Sequence, residues 1–304
     1  MTDWIERTAR LSMASHRLVG WIYWDPVAIE KYTALGVPNG MGYYIASRSA
    51  PLAPAGPGAV TAAFYSINAV FIEMSLAAAS SATTFEAVAD ARDAAVVEGL
   101  RAHVPELIDD LASLVEPLWA VADDLSPSGR VLFAAHRDRA RPDDPRLSAW
   151  LAVNCIREWR GDTHWAVLLS EGIDGTQAGI LHNDFLRYPT NWIPTSRGGS
   201  EDVIGEAYHR LSLRGLVDDG QVNAAGRALR EHVEQRTNEL CAPGWEALGL
   251  EHTQTLLDAV EPHAATLLAR IDATAGPNWM PAARDRRTDH STDEDTAVSD
   301  SSPG

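Results

Sequence analysis

The densest run of chemistry-bearing side chains in this chain is Arg157-Glu158-Trp159-Arg160-Gly161-Asp162-Thr163-His164. It lies within a helical pattern from about Leu147 to Leu169, where apolar residues recur at helical spacing. Val153, Arg157, Arg160, His164 and Val167 follow at steps of three or four residues and so share one face. That face is apolar at both ends and carries two guanidiniums and an imidazole in the middle. Gly161 lies on it too, at a cost of roughly 1 kcal/mol relative to Ala in a helix interior. Such a glycine points to the close approach of a backbone or a ligand.

Several chemistries suit these residues. Arg157 and Arg160 are guanidinium forks that would clamp a carboxylate or phosphate bidentately, with Tyr65 and Trp165 as further ligand contacts. His164, with Arg160 beside it, is the candidate catalytic group, since an imidazole titrates near neutrality. A divalent metal would suit His164, His182 and Asp162, with His16 as an extra ligand, because two histidines and a carboxylate form an open coordination set. Asp162, however, points to a different helix face from His164. Haem iron is a further imidazole partner. The plain alternative is a structural network in which arginines tie helices together and the histidines are hydrogen-bonded core. Nucleophile elbow, phosphate-cradling glycine loop, CxxC pair and HExxH motif are all absent from the sequence.

The elements that must hold these residues read as helices almost throughout. Amphipathic or apolar stretches cover 3–20, a segment from Asp25-Pro26 to Gly36, and one helix from about Ala59 to Leu76. Thr84–His103, Pro105–Ala122 and Arg130–Arg137 continue the pattern. Asp174 with Gln177 forms a capping box that starts a second helix after the central one. Folding back about Gly172-Ile173 sets His164 opposite Leu181-His182. After a loop over 186–199, a helix follows from Ser200 to Leu213, then Asp218-Asp219-Gly220 between short apolar runs, a hairpin signal. Helices at Ala224–Leu240 and Glu251–Ile271 close the order, separated by Ala242-Pro243-Gly244-Trp245. From Arg284 onward hydrophobic periodicity ends, which reads as a disordered tail. The expected fold is mainly α, with an N-terminal helical domain (1–140) and a winged-helix-like domain with one short β-hairpin (141–273).

Composition narrows the partners. The 304 residues carry a net charge of −17, with one lysine among 25 basic residues. Such acidity opposes unselective binding to phosphate backbones. The recognition-helix position opens with Glu201 and Asp202 and the wing tip is Asp218-Asp219, so DNA is the lesser expectation beside a small-molecule ligand. Two distant cysteines, Cys155 and Cys241, exclude a disulfide framework. No apolar run approaches the ~18 residues of a membrane span, and the reading is a cytoplasmic, membrane-free protein, with a homodimer as an open state.

The segment Tyr208–Arg230 resembles the recognition helix, wing and following helix of MarR-type modules. Over about residues 10 to 270 the chain also resembles an actinobacterial family of SalK-like helix-turn-helix proteins. The resemblance rests on Ala50-Pro51-Leu52, Phe64-Tyr65, Gly129-Arg130-Val131-Leu132-Phe133-Ala134-Ala135, the Arg157–His164 run, Leu181-His182 and Arg214-Gly215-Leu216-Val217. It implies a fused, mainly helical protein with a winged-helix C-terminal part. The chain departs from the family pattern at Trp159, where an imidazole is frequent, and at Ser66-Ile67, where Asn-Phe is usual. The combined expectation is a small-molecule-binding protein with an Arg/His site between the two parts. The alternative is a ligand-responsive, MarR-like regulator.

Overall fold

The structure is a computed structural model and describes residues 3–37 and 41–287. Its helices in chain order are α1 (Trp4–Gly20), α2 (Pro26–Ala34), α3 (Met41–Ser49), α4 (Pro57–Phe64), α5 (Ala69–Ala82) and α6 (Phe85–His103). There follow α7 (Ile108–Ser113), α8 (Val115–Asp124), α9 (Val131–Arg137), α10 (Pro145–Ser170) and α11 (Gly175–Leu186). The last are α12 (Trp192–Ser196), α13 (Glu201–Leu213), α14 (Ala224–Val260) and α15 (Ala264–Asp272). A two-residue ribbon, β1 (Val217–Asp218) against β2 (Gln221–Val222), pairs antiparallel with Val217 opposite Val222. The fold is therefore mainly α with one short hairpin, as the periodicities imply.

Local chemistry explains most boundaries. Asp25 caps α2 ahead of Pro26, Asp174 and Gln177 close a reciprocal capping box on α11, and Ser200 caps α13. The hairpin turns on Asp219 and Gly220, both at positive φ, the conformation a tight two-residue turn needs.

The periodic reading misses α12 inside the expected 186–199 loop and the break at Glu261–His263 in the expected Glu251–Ile271 helix, and three further boundaries differ. The single helix expected over Ala59–Leu76 is two, because Tyr65 takes φ 52° and Asn68 caps a new start. The apolar stretch Pro105–Ala122 is likewise split, into α7 and α8. Conversely, α14 runs through Pro243 and breaks at Gly249, whose φ of 84° only glycine adopts without strain.

The core has three large parts and a small one at Leu186, Tyr188 and Ile193. In the largest, the first half of α10 (Trp150, Val153, Ile156, Trp159) packs on α1, α6 and the second half of α14. That half of α10 is buried on every face, which is why its apolar stripe is so wide. A second core joins the end of α10 to α11, α13 and the hairpin through Val167, Ile180, Leu181, Ile204, Leu211 and Val217. A third lies under α3, α4 and α5. Packing therefore has no break at residue 140: α1 and the second half of α14 share one core. The tail also starts later than Arg284. Arg284 donates to Trp279 O and Asp272, and Asp285 pairs with Arg17. The remainder of the expected tail, from residue 288, lies outside the described residues.

Candidate functional site

A cavity of about 250 Å³ lies where the three cores meet. Its walls come from α1, α3, α4, α10, α11, α12, α14 and the segment after α15, so it is enclosed by both ends of the chain. Trp24, Phe64, Trp165, Leu181, Phe185 and Trp192 supply an apolar lining.

Six arginines line this space: Arg48, Arg157, Arg160, Arg230, Arg197 and, from the segment after α15, Arg284, which pairs with Asp272. Glu158 answers the first two. Its carboxylate accepts both Nε and NH2 of Arg48, at 2.9 and 2.7 Å, and a further bond from Arg157. Burial opposes charge on Glu158, yet Arg157 and Arg48 hold it well below the usual carboxylate range. Glu234 answers the next pair, accepting from Arg160 and, at 3.4 Å, from Arg230. Arg160 and Arg230 keep it ionised against its burial. Arg197 differs. Its NH1 donates to the Ser66 hydroxyl at 2.9 Å, and among the described residues no carboxylate lies within ion-pair distance. Burial pulls this guanidinium below its ordinary value, the mark of an uncompensated charge.

Histidines face the same space. His16, His164 and His182 all line the cavity. Burial pushes His164 down to about 4, aided by Arg160 and Arg230 and opposed by Glu234. His182 is held low by burial, Arg230 and Arg197, and His16 by burial, Arg157 and Arg160. All three are neutral at pH 7. His164 Nδ1 lies 3.0 Å from the Thr237 hydroxyl, and His182 Nδ1 lies 3.5 Å from Arg230 NH2.

The fold thus brings Arg157, Arg160, His164, Trp165, His182 and His16 to one cavity. Two expected residues stand elsewhere. Asp162 is turned away, its carboxylate accepting the backbone N–H groups of Leu132 and Phe133 at 3.1 and 3.0 Å, which caps α9. Its face of α10 differs from that of His164, so it does not join the histidines. Among the described residues no three His, Cys, Asp or Glu side chains are grouped to hold a metal ion. Tyr65 stacks on Trp165 with ring centres 5.2 Å apart and donates to Ile173 O, so it backs the wall rather than forming it. Arg48, Arg197, Arg230 and Glu234 escaped the sequence reading. They lie far from the central helix in sequence, and only the spacing of Arg230, Glu234 and Thr237 on one face of α14 signals any of them.

Around α13 the basic side chains are committed within the molecule. Arg210 pairs with Asp174 at 2.7 Å, and Arg214 donates to Gly172 O and Glu171 O. Glu201 and Asp202 are exposed at the helix start. No helix among the described residues is long and apolar enough to cross a membrane.

Residues 8–274 match the sequence model of a family described as a helix-turn-helix family. No curated protein and no solved structure matches the chain.

Proposed function

The chain belongs to this helix-turn-helix family, and from that premise we propose that it binds a small organic anion in the arginine- and histidine-lined cavity. The winged-helix part then serves as one wall of the site. Within the family, the residues quoted above support a likeness to the SalK-like proteins. One observation carries the reading: six arginines line the cavity, Glu158, Glu234 and Asp272 answer five of them, and Arg197 has no carboxylate among the described residues. A half-buried charge with no counter-charge is costly to hold. An incoming carboxylate or phosphate would remove that cost and accept the donors of Arg197 that Ser66 leaves over. His164 and Arg160 are the groups placed to act on such a ligand chemically.

Calorimetry with benzoate, 3-phenylpropanoate and phenyl phosphate tests the proposal. Binding by the parent chain and at least a tenfold loss in Arg197→Met, an amount typical of a charged hydrogen bond, is the expected result. The melting temperature of the variant should hold or rise, because an unpaired charge is replaced by an apolar chain. Equal affinity in the two proteins would sink the reading.

A ligand-responsive regulator is the second reading, favoured by family membership and by the helix–helix–hairpin–helix order. The acidic start of α13 and the internal commitments of Arg210 and Arg214 weigh against DNA as its target.

A further inference from the structure

Hydrogen-bond arithmetic settles which nitrogen of two cavity imidazoles carries the proton. Thr237 has one hydroxyl proton, and it goes to Val233 O at 2.7 Å, an atom that can only accept. Its Oγ1 is therefore an acceptor toward His164 Nδ1, 3.0 Å away. His164 is thus protonated at Nδ1 and keeps a lone pair on Nε2. At His182 the order reverses. Arg230 NH2, 3.5 Å from Nδ1, can only donate, so Nδ1 accepts and Nε2 carries the proton. Neither Nε2 has a partner among the described residues, and both rings line the cavity. His164 bonds Thr237 and His182 bonds Arg230, both on one face of α14, and the two rings line the cavity together with Arg197.

Resting on the anion reading above, we infer that the cavity selects a hydroxylated organic acid. Arg197 takes the carboxylate, and the hydroxyl bridges the histidines, donating to Nε2 of His164 and accepting from Nε2–H of His182. Other polar groups fit worse. A ketone or ether accepts from His182 but leaves the His164 lone pair without a donor. An ammonium group donates to His164 but meets the field of the arginines. A second carboxylate accepts from His182 and sets its charge against the His164 lone pair. Of these groups a hydroxyl alone both gives and takes at one atom. Trp165, Leu181 and Phe185 form the adjacent wall, so the body of the acid is apolar or aromatic.

Two measurements test this. Two-bond 1H–15N spectra of the ligand-free protein, assigned with His164→Leu and His182→Leu, report the tautomers directly. His164 protonated at Nδ1 and His182 at Nε2 supports the inference, and the reverse assignment of either ring overturns it. Calorimetry then compares matched acids, 3-phenylpropanoate against its 3-hydroxy and ring-hydroxy derivatives. The expected result is at least about tenfold tighter binding of a hydroxy acid, as sites built to hydrogen-bond a hydroxyl reject the analogue lacking it. That preference should vanish in His164→Leu, and a preference that survives there would overturn the hydroxyl assignment. If both members bind equally to the parent chain, the hydroxyl assignment falls and the anion reading stands. If no acid of any pair binds, the anion reading falls and takes this inference with it.

Discussion

Glu158 and Glu234 each stand between two arginines, and that arrangement ties α3, α10 and α14 around one polar centre. The same burial that makes these pairs necessary keeps the nearby imidazoles neutral. His164 is pushed down to about 4 and His136, hydrogen-bonded to Arg48 O and Asn154, to about 3. An unfolded histidine titrates near pH 6.5. Between that pH and about 4 the unfolded chain binds protons that the folded chain excludes, so stability falls as pH falls. Asp162, raised by burial to about 7 despite its two backbone donors, acts in the opposite sense: it stays protonated when folded and ionised when unfolded above about 4. Four buried, depressed histidines outweigh this one carboxyl. The urea midpoint should therefore drop between pH 7 and pH 5, and a flat or rising midpoint would show that the cavity histidines carry protons in the folded state.

At the scale of elements, the break between α4 and α5 illustrates how a helix is overruled. Ala59–Leu76 has the composition of one apolar helix, yet Tyr65 leaves it at positive φ. Its ring then stacks on Trp165, and its hydroxyl reaches the Gly172-Ile173 turn. Gly175, at the start of α11, packs against this break so closely that a Cβ would sit 2.3 Å from Tyr65 O and 2.7 Å from Ser66 Cα. Gly175→Ala should cost roughly 1–3 kcal/mol, the range for overpacking, because backbone rather than a flexible side chain must move. Chemical denaturation measures it, and Gly205→Ala, where a Cβ meets nothing within 4 Å, is the control. The same element logic explains what was legible of the site. Arg157, Arg160 and His164 share a face that helical spacing alone reveals, and the capping box at Asp174 announces the helix that returns His182. Arg48 and Arg197 carry no such mark, since they meet the central helix only through packing.

Across the whole molecule, a net charge of −17 surrounds an inner space where positive charge prevails. On the α13 face Arg210 and Arg214 are solvent-accessible but already bonded to Asp174, Glu171 O and Gly172 O, beside the exposed Glu201 and Asp202. Fluorescence anisotropy on arbitrary duplex DNA at physiological salt should show no binding, and micromolar affinity that weakens steeply with salt would overturn this. The C-terminal segment bears on the cavity as well, since Trp279, Met280 and Arg284 line it. A chain ending after Ala283 loses the Arg284–Asp272 and Asp285–Arg17 pairs that one ending after Arg287 retains. Because both acidic partners are exposed or half-exposed, the difference should be small, roughly 1 kcal/mol or a melting temperature about 2–4 °C lower. Equal melting temperatures would mean that these contacts are too weak to hold the segment.

Sequence by itself determined what depends on near neighbours. Helical periodicity, caps at Asp25, Asp174 and Ser200, and the Asp219-Gly220 turn act over a few residues, so each is written where it operates. The face uniting Arg157, Arg160 and His164 belongs to the same class. Tertiary structure alone decided the rest. Whether Asp162 meets a metal or caps α9 depends on where a helix 30 residues away comes to rest. Whether an arginine is paired depends on which carboxylate the fold leaves within reach, as Glu234 does for Arg160 and nothing among the described residues does for Arg197. Charge compensation in a buried space is a property of the assembled cavity, because burial strengthens and sharpens interactions between groups that chain order keeps far apart.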